Sequence, residues 1–232
     1  LMVSGLNFPV NMAFLPDGRL LVNEKDVFRV RLIVNGTLVS TIVATIDSVR
    51  QNSEAGLLGI AAAPGWPARP YVYLQYTYLG GNVIRIARYT AVGDVAFTGN
   101  GVFTLDPASR YLVLADAPDQ RPLHNGGTLR FGPDGMLYSS LGDDSGCGSG
   151  RTNALVGKIL RLDVSRLPDG PGGPAPYALI TPSDNPFVSL PDERAGLVWA
   201  YGLRNSFSFD IDPPTGDLII ADVGGSTWEE VD

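Results

Sequence analysis

Short apolar runs separated by turn residues recur along the chain, and helical periodicity is hard to find. The repeating unit is an apolar run, a Pro-Asp-Gly type turn and a second apolar run. It reads NMAFLPDGRLLVNE at 11–24, GTLRFGPDGMLYSS at 127–140 and SFSFDIDPPTGDLII at 206–220. In such a turn Pro presets φ, Asp accepts local backbone hydrogen bonds and Gly takes positive φ. The flanking runs alternate or stay apolar throughout, as half-buried and fully buried strands do. Each unit therefore predicts a β-hairpin.

More strands lie between these hairpins. VFRVRLIV (27–34) and LVSTIVATI (38–46) flank Asn35-Gly36, a strong hairpin turn. GLLGIAAAP (56–64), YVYLQYTY (71–78), NVIRIARYT (82–90) and YLVLADAP (111–118) predict four strands in order, and GKILRLDVS (157–165) another. The Pro-rich stretches 168–176 and 182–191 predict long loops, since strand patterns resume beyond them. The repeat unit reads as about four antiparallel strands in roughly 50–65 residues with its connections, and the strand groups run 11–46, 56–118 and 128–180. A fourth group begins at 198 and stops after its second strand. Radially repeated four-stranded sheets are the blades of a β-propeller, and a recurring hairpin that opens each group favours that over a sandwich. The expectation is an all-β, single-domain propeller over 1–232 with about three and a half to four blades. Known propellers have about four to eight, and open edges are costly. The reading therefore expects further blades beyond the C-terminus or a partner over the edges.

Composition narrows the function classes. The 232 residues carry 17 Lys+Arg against 24 Asp+Glu, a formal charge of −7, which disfavours binding to nucleic acid or to an anionic membrane. No apolar run approaches the ~20 residues of a membrane span. Of the cations 15 are Arg and only 2 are Lys. The single Cys147 excludes an internal disulfide and a cysteine zinc site, and reads as a small residue in a Gly/Ser loop. The single His124 excludes multi-histidine metal sites, and its side-chain type is the one that ordinarily titrates near neutrality. The start, LMVSGLNFPV, shows no signal peptide, as a processed export product would not.

Four polar segments carry candidate chemistry. Leu123-His124-Asn125-Gly126-Gly127 precedes a strand, where glycines let backbone approach a ligand; the alternative is a loop histidine without a role. SSLGDDSGCGSG (139–150) ends a strand in two carboxylates and a Gly-rich loop. It is also readable as a solvated acidic turn, and it lacks the Lys-Ser/Thr of a phosphate-binding loop. Arg204-Asn205 precedes a strand and offers a donor fork for a carboxylate or a quinone, or a structural ion pair. ADVGGSTWEE (221–230) ends a strand in Gly224-Gly225, whose carbonyls suit a hard cation or form a plain turn. All four lie at the ends of strands that lead a group, which predicts one shared mouth.

The strings FLPDGRLLVNE, EAGLLGIAAAP, HNGGTLRFGPDGMLY, LGD, GKILRLD, YGLRNSFSFDIDPPTGDL and ADVGGSTWEEVD occur in that order over nearly the whole chain. In these the chain resembles the soluble glucose/sorbosone dehydrogenase family, the aldose sugar dehydrogenases dependent on pyrroloquinoline quinone (PQQ), which are six-bladed propellers. The resemblance implies oxidation of an aldose at C1 to the lactone, with hydride passing to the quinone and an external electron acceptor completing turnover. It implies that His124 is the general base at the anomeric hydroxyl and touches the cofactor, and that Asp143 orients it. It implies that Arg204 and Asn205 contact the quinone, with Arg204 polarising the carbon that accepts hydride. Gly224 and Gly225 would hold a PQQ-bound Ca²⁺ through their carbonyls, and Glu54 would reach the sugar. The family is expected in the periplasm or outside the cell. The family pattern runs about two blades further. Gly225 replaces a proline of some members, and Leu123 an acidic residue of others. Two other classes remain open: a non-catalytic propeller recognition module, and an inactive fragment.

Overall fold

In a computed structural model, which describes residues 3–146 and 148–232, each Pro-Asp-Gly type turn closes a hairpin. Cys147 lies outside the described residues. Strand β1 (Pro9–Phe14) pairs antiparallel with β2 (Leu20–Glu24), β10 (Leu129–Phe131) with β11 (Leu137–Leu141), and β14 (Ser208–Ile211) with β15 (Leu218–Asp222). The three turns are built alike. Gly18, Gly135 and Gly216 take φ of 88°, 77° and 78°, and each donates its N–H back across the turn, to Leu15, Gly132 and Asp212. Asp17 and Asp134 accept the amides of Arg19 and Met136 at 3.1 and 3.0 Å.

These hairpins open three of four sheets. The first sheet adds β3 (Arg29–Val34), β4 (Thr37–Leu38) and β5 (Ala44–Thr45) to β1 and β2. The second is β6 (Leu57–Ala62), β7 (Tyr71–Tyr78), β8 (Val83–Gly93) and β9 (Phe103–Pro118), in that order. The third is β10, β11, β12 (Lys158–Leu162) and β13 (Val198–Tyr201); the fourth is β14, β15 and β16 (Glu230–Val231). The all-β propeller reading holds: the sheets are successive blades whose leading strands β1, β6 and β10 contact one another. One four-residue helix, α1 (Tyr177–Ile180), interrupts the long Pro-rich connector.

Three boundaries differ from the expectation. Residues 198–201 do not begin the fourth blade. They close the third, with Lys158 opposite Tyr201 and Ile159 opposite Ala200. The long connector hid this, because nothing local tells which sheet a strand joins after it. The fourth blade thus starts at β14 and has three strands. The run 38–46 is not one strand either. Val39 and Val43 both donate to β3, at Leu32 and Val30, while exposed Ser40–Ile42 loops away between them. The second blade opens without a Pro-Asp-Gly turn and uses the Pro64–Pro70 stretch instead.

Alternation along each strand feeds a different core on each face. In β7, Val72, Leu74 and Tyr76 pack toward the first blade with Leu21, Leu32, Leu57 and Ile60, while Tyr73 packs toward the third with Leu129, Leu160 and Leu162. A smaller core of Tyr138, Ile159, Phe209, Ile211 and Ile220 joins the third and fourth blades.

Polar side chains stitch the seams near the axis. Asn23 Nδ2 donates to Gly59 O at 2.9 Å, and Gln75 Nε2 to Ser140 O at 2.9 Å. Gln75 Oε1 accepts Ser139 Oγ at 2.8 Å, and all of these residues are buried. Gln75→Leu takes one of two donors from the Ser140 carbonyl, which keeps the Gly127 amide, and leaves the Ser139 hydroxyl without its acceptor in a dry seam. It should lower unfolding free energy by about 1–3 kcal/mol, read from urea denaturation; an unchanged midpoint would remove Gln75 from the seam's energetics.

Candidate active site

In an antiparallel pair the start of the first strand and the end of the second lie at the same end of the sheet. The blade-leading segments 54, 124–127 and 204–205 therefore emerge on one side with the segments that follow β11 and β15, namely 143–145 and 222–225. The structure brings Glu54, His124, Asp143, Arg204 and Asn205 into one hydrogen-bonded group there, with the Gly224-Gly225 loop beside it.

His124 takes φ of 59°, an uncommon conformation for a residue with a Cβ. Its Nδ1 lies 2.6 Å from Asp143 Oδ1, and the two side chains are 13% and 15% exposed. Asp143 Oδ1 also accepts the Ser145 amide at 2.8 Å, which fixes the carboxylate. With Nδ1 committed to a carboxylate, the neutral ring carries its proton there and presents a bare Nε2. Among the described residues Nε2 has no hydrogen-bond partner.

The backbone around His124 is held from three sides. Its amide donates to Glu54 Oε2 at 2.7 Å. Its carbonyl lies so close to Gly142 that a Cβ there would fall 2.0 Å from it. The next residue, Asn125, is buried and donates to Asp119 Oδ1 at 2.6 Å. Asp119 is fully buried and pairs with Arg50. Burial pushes the Asp119 carboxyl up to about 6, against the pull of the Arg50 guanidinium and with the like charge of Asp144 adding to the rise.

Asn205 is 4% exposed and links three blades. Its Oδ1 accepts Gly126 N at 3.1 Å, its Nδ2 donates to Glu54 Oε2 at 3.2 Å, and its amide donates to Asp222 Oδ1 at 2.6 Å. Asp222 Oδ2 takes the Arg204 amide at 2.7 Å. Arg204 Nη1 donates to Val223 O at 2.8 Å, which sets the guanidinium against the Gly224-Gly225 loop. Among the described residues Arg204 forms no ion pair. Glu54 spends Oε2 on protein donors and leaves Oε1 for another.

Sequence reasoning missed Asp222, Asp119, Asn125 and Lys25, which act on the site through others. Lys25 Nζ donates to Ser53 O at 2.7 Å and Ala55 O at 3.3 Å, bracketing Glu54. The scarcity of lysine was the available signal: both lysines of the chain, Lys25 and Lys158, are buried against backbone carbonyls. A cavity of about 460 Å³ lies elsewhere, between Leu114, Asp116, Pro174, Tyr177 and Glu193, and shares no residue with this group.

The sequence profile of the family described as Glucose / Sorbosone dehydrogenase matches residues 6–232. The chain belongs to the glucose/sorbosone dehydrogenase family. The PQQ-bound aldose sugar dehydrogenase of Streptomyces coelicolor is similar in structure, with a TM-score of 0.78 at 29% identity over 100% of this chain and 61% of that one. HIPL1 protein of Arabidopsis thaliana is 41% identical over 122 residues, 47% of this chain and 17% of the relative. Human Hedgehog-interacting protein is 29% identical over 238 residues, 94% of this chain and 32% of the relative. The chain thus spans less than two thirds of each of these proteins.

The residues present suit the family's cofactor on one side. A planar quinone bearing carboxylates calls for a cation without a carboxylate partner and for a base beside it, and Arg204 and His124 Nε2 answer that description. For Ca²⁺, the carbonyl oxygens of Gly224 and Gly225 accept no hydrogen bond among the described residues, and a Cβ at Gly224 would fall 1.6 Å from Trp228 O. Nearby Asp222, Glu230 and Asp232 offer one oxygen each within 4.8 Å, but those of Asp222 already hold the Arg204 and Asn205 amides.

Asp119 makes a pH prediction for this glucose/sorbosone dehydrogenase-family chain. A carboxyl raised from 3.8 to about 6 in the fold contributes stability that is fully present below pH 3.8 and lost as pH rises through 6. Asp119→Asn has no such titration. The melting temperature of the variant relative to wild type should therefore rise between pH 4 and 7, whatever its offset. A flat difference across that range would contradict the raised value.

Proposed function

We propose that the complete protein, in which further blades close the ring, oxidises an aldose at C1 to its lactone with PQQ. The observation that carries this reading is the 2.6 Å pair between His124 Nδ1 and Asp143 Oδ1, with Nε2 left bare at the mouth of a propeller of this family. When bound, PQQ supplies the electron-pair acceptor for the hydride that leaves C1. His124 Nε2 takes the proton of the anomeric hydroxyl, so the substrate loses two electrons and two hydrogens and the C1–O bond becomes a carbonyl. Asp143 holds the proton on Nδ1 and stabilises the imidazolium. Arg204, with no carboxylate partner among the described residues, would contact the quinone and polarise the carbon that accepts hydride, and Asn205 would contact the quinone beside it. Glu54 Oε1 accepts a sugar hydroxyl. The carbonyls of Gly224 and Gly225 would hold Ca²⁺. The same reading places the protein in the periplasm or outside the cell, with an external acceptor completing turnover.

A second reading is a recognition propeller without catalysis. The similarity to Hedgehog-interacting protein over 94% of this chain favours it, and retention of the His124–Asp143 pair weighs against it.

The test is PQQ-reconstituted oxidation of several aldoses by the full gene product. His124→Ala should lower kcat about 10²–10⁴-fold with the melting temperature little changed. Asp143→Asn should cost less, because the base remains and loses only its orienter. A folded His124→Ala variant with wild-type turnover would overturn the assignment, and a PQQ-loaded wild type inactive on all aldoses would favour the recognition reading.

A further inference from the structure

We propose that Asp144 is a positioning residue: it ties the loop that carries His124 to the loop that carries Asp143, and so sets the geometry of the imidazole–carboxylate pair. The inference rests on the reading of His124 as a base held by Asp143.

His124 stands in a loop closed on itself. Asp119 accepts Asn125 Nδ2 at 2.6 Å across six residues, and Arg50 anchors Asp119 from outside the loop. That bond fixes the loop's base and leaves the stretch 120–123 to be held by something else. Both amides at its start go to one side chain. Gln120 N donates to Asp144 Oδ2 at 2.8 Å, and Arg121 N to Asp144 Oδ1 at 2.7 Å. Arg121 returns a bond, from Nη1 to Ser145 O at 2.7 Å. No strand pairing joins residues 120–121 to 144–145, so these three hydrogen bonds are their connection.

The adjacent carboxylates Asp143 and Asp144 divide the work. Asp143 faces the imidazole, and Asp144 faces the backbone that leads to it. Two N–H groups on the two oxygens of one carboxylate form a charge-assisted fork, which sets direction as well as distance. Asp144 and Ser145 both adopt positive φ, 54° and 50°, a conformation that the surrounding contacts must enforce. Ser145 in turn donates its amide to Asp143 Oδ1, so the Arg121 bond to the Ser145 carbonyl reaches the orienting carboxylate through one residue. His124 itself is at φ 59°, with its amide on Glu54. Each side of the pair is thus held in a strained backbone; the two backbones touch where Gly142 meets the His124 carbonyl, and Asp144 ties them a second time, ahead of the histidine, at residues 120–121.

The test uses the complete protein labelled with ¹⁵N-histidine. The ¹⁵N shifts of the His124 ring, assigned with a His124→Asn variant, report its tautomer without any need for activity. They are measured at a pH where the ring is neutral. Wild type should show Nδ1 protonated and Nε2 bare. In Asp144→Ala the second tautomer should become populated, and kcat should fall about tenfold with KM within twofold, since small misplacements of reacting groups cost up to about 10²-fold. Asp144→Asn keeps one acceptor oxygen and should fall between the two. Arg121→Met, which leaves the Asp144 charge in place, should shift the tautomer in the same direction. A folded Asp144→Ala with the wild-type tautomer and kcat within twofold would overturn the proposal. So would Ala and Asn variants that behave identically, which would make the charge rather than the fork responsible. Should Asp144→Ala not fold, Asp144→Asn and Arg121→Met decide by the same two readouts. A tautomer shift in a protein whose wild type oxidises no aldose would sink the dehydrogenase reading and leave the positioning role standing; an active wild type with an unchanged variant would do the reverse.

Discussion

The Asn205 side chain is the interaction on which the mouth of the propeller depends. One amide group accepts from the blade-three loop at Gly126, donates to Glu54 ahead of blade two, and sits on a backbone pinned by Asp222 of blade four. Blades joined only by apolar faces would be free to slide by fractions of an ångström, because apolar packing has little direction. A buried amide with both ends engaged permits one arrangement, since a displaced blade leaves a polar atom unpaired in a dry seam. Asn23 and Gln75 make the same kind of bond deeper along the seams, at Gly59 and Ser140. The site is therefore placed by the contacts that set the spacing of the blades.

The loops of this protein are tied down mainly by cations that reach backbone carbonyls. Arg19 donates to the carbonyls of Asp94, Val95 and Gly101, Arg88 to those of Pro168 and Gly170, Lys25 to those of Ser53 and Ala55, and Lys158 to those of Ser149 and Val156. Each of these side chains is buried. A chain with 28 Gly and 18 Pro has many carbonyls outside regular ladders, and a buried donor with several N–H groups satisfies two or three of them at once. Around the site carboxylates play the complementary part. Asp222, Asp144 and Glu54 accept the backbone N–H groups of Arg204 and Asn205, of Gln120 and Arg121, and of His124.

The backbone at the site carries strain. His124, Asp144 and Ser145 all adopt positive φ, and Gly142 leaves no room for a Cβ beside the His124 carbonyl. Such conformations persist only where neighbours over-determine them, and here those neighbours are the polar bonds just described. The result is a histidine whose ring and backbone are both fixed before any ligand arrives, as proton transfer at a defined atom requires.

The sequence by itself determined the strands, the hairpins and the end of the sheets at which polar segments gather. These follow from period-two alternation, from Pro-Asp-Gly turns at Gly18, Gly135 and Gly216, and from the geometry of antiparallel pairing, all of which are local. It also set the segments of His124 and Asp143 at that end, while their pairing was implied by the resemblance to the family. Only the tertiary structure decided that 198–201 closes the third blade, that Glu54 spends one oxygen on His124 and Asn205, and that Asp119, Asp144 and Asp222 hold the backbone of the site. Those choices turn on which donor meets which acceptor across 6 to 151 residues of chain. No local pattern encodes that pairing, because any carboxylate can take any amide until packing brings one of them within 3 Å.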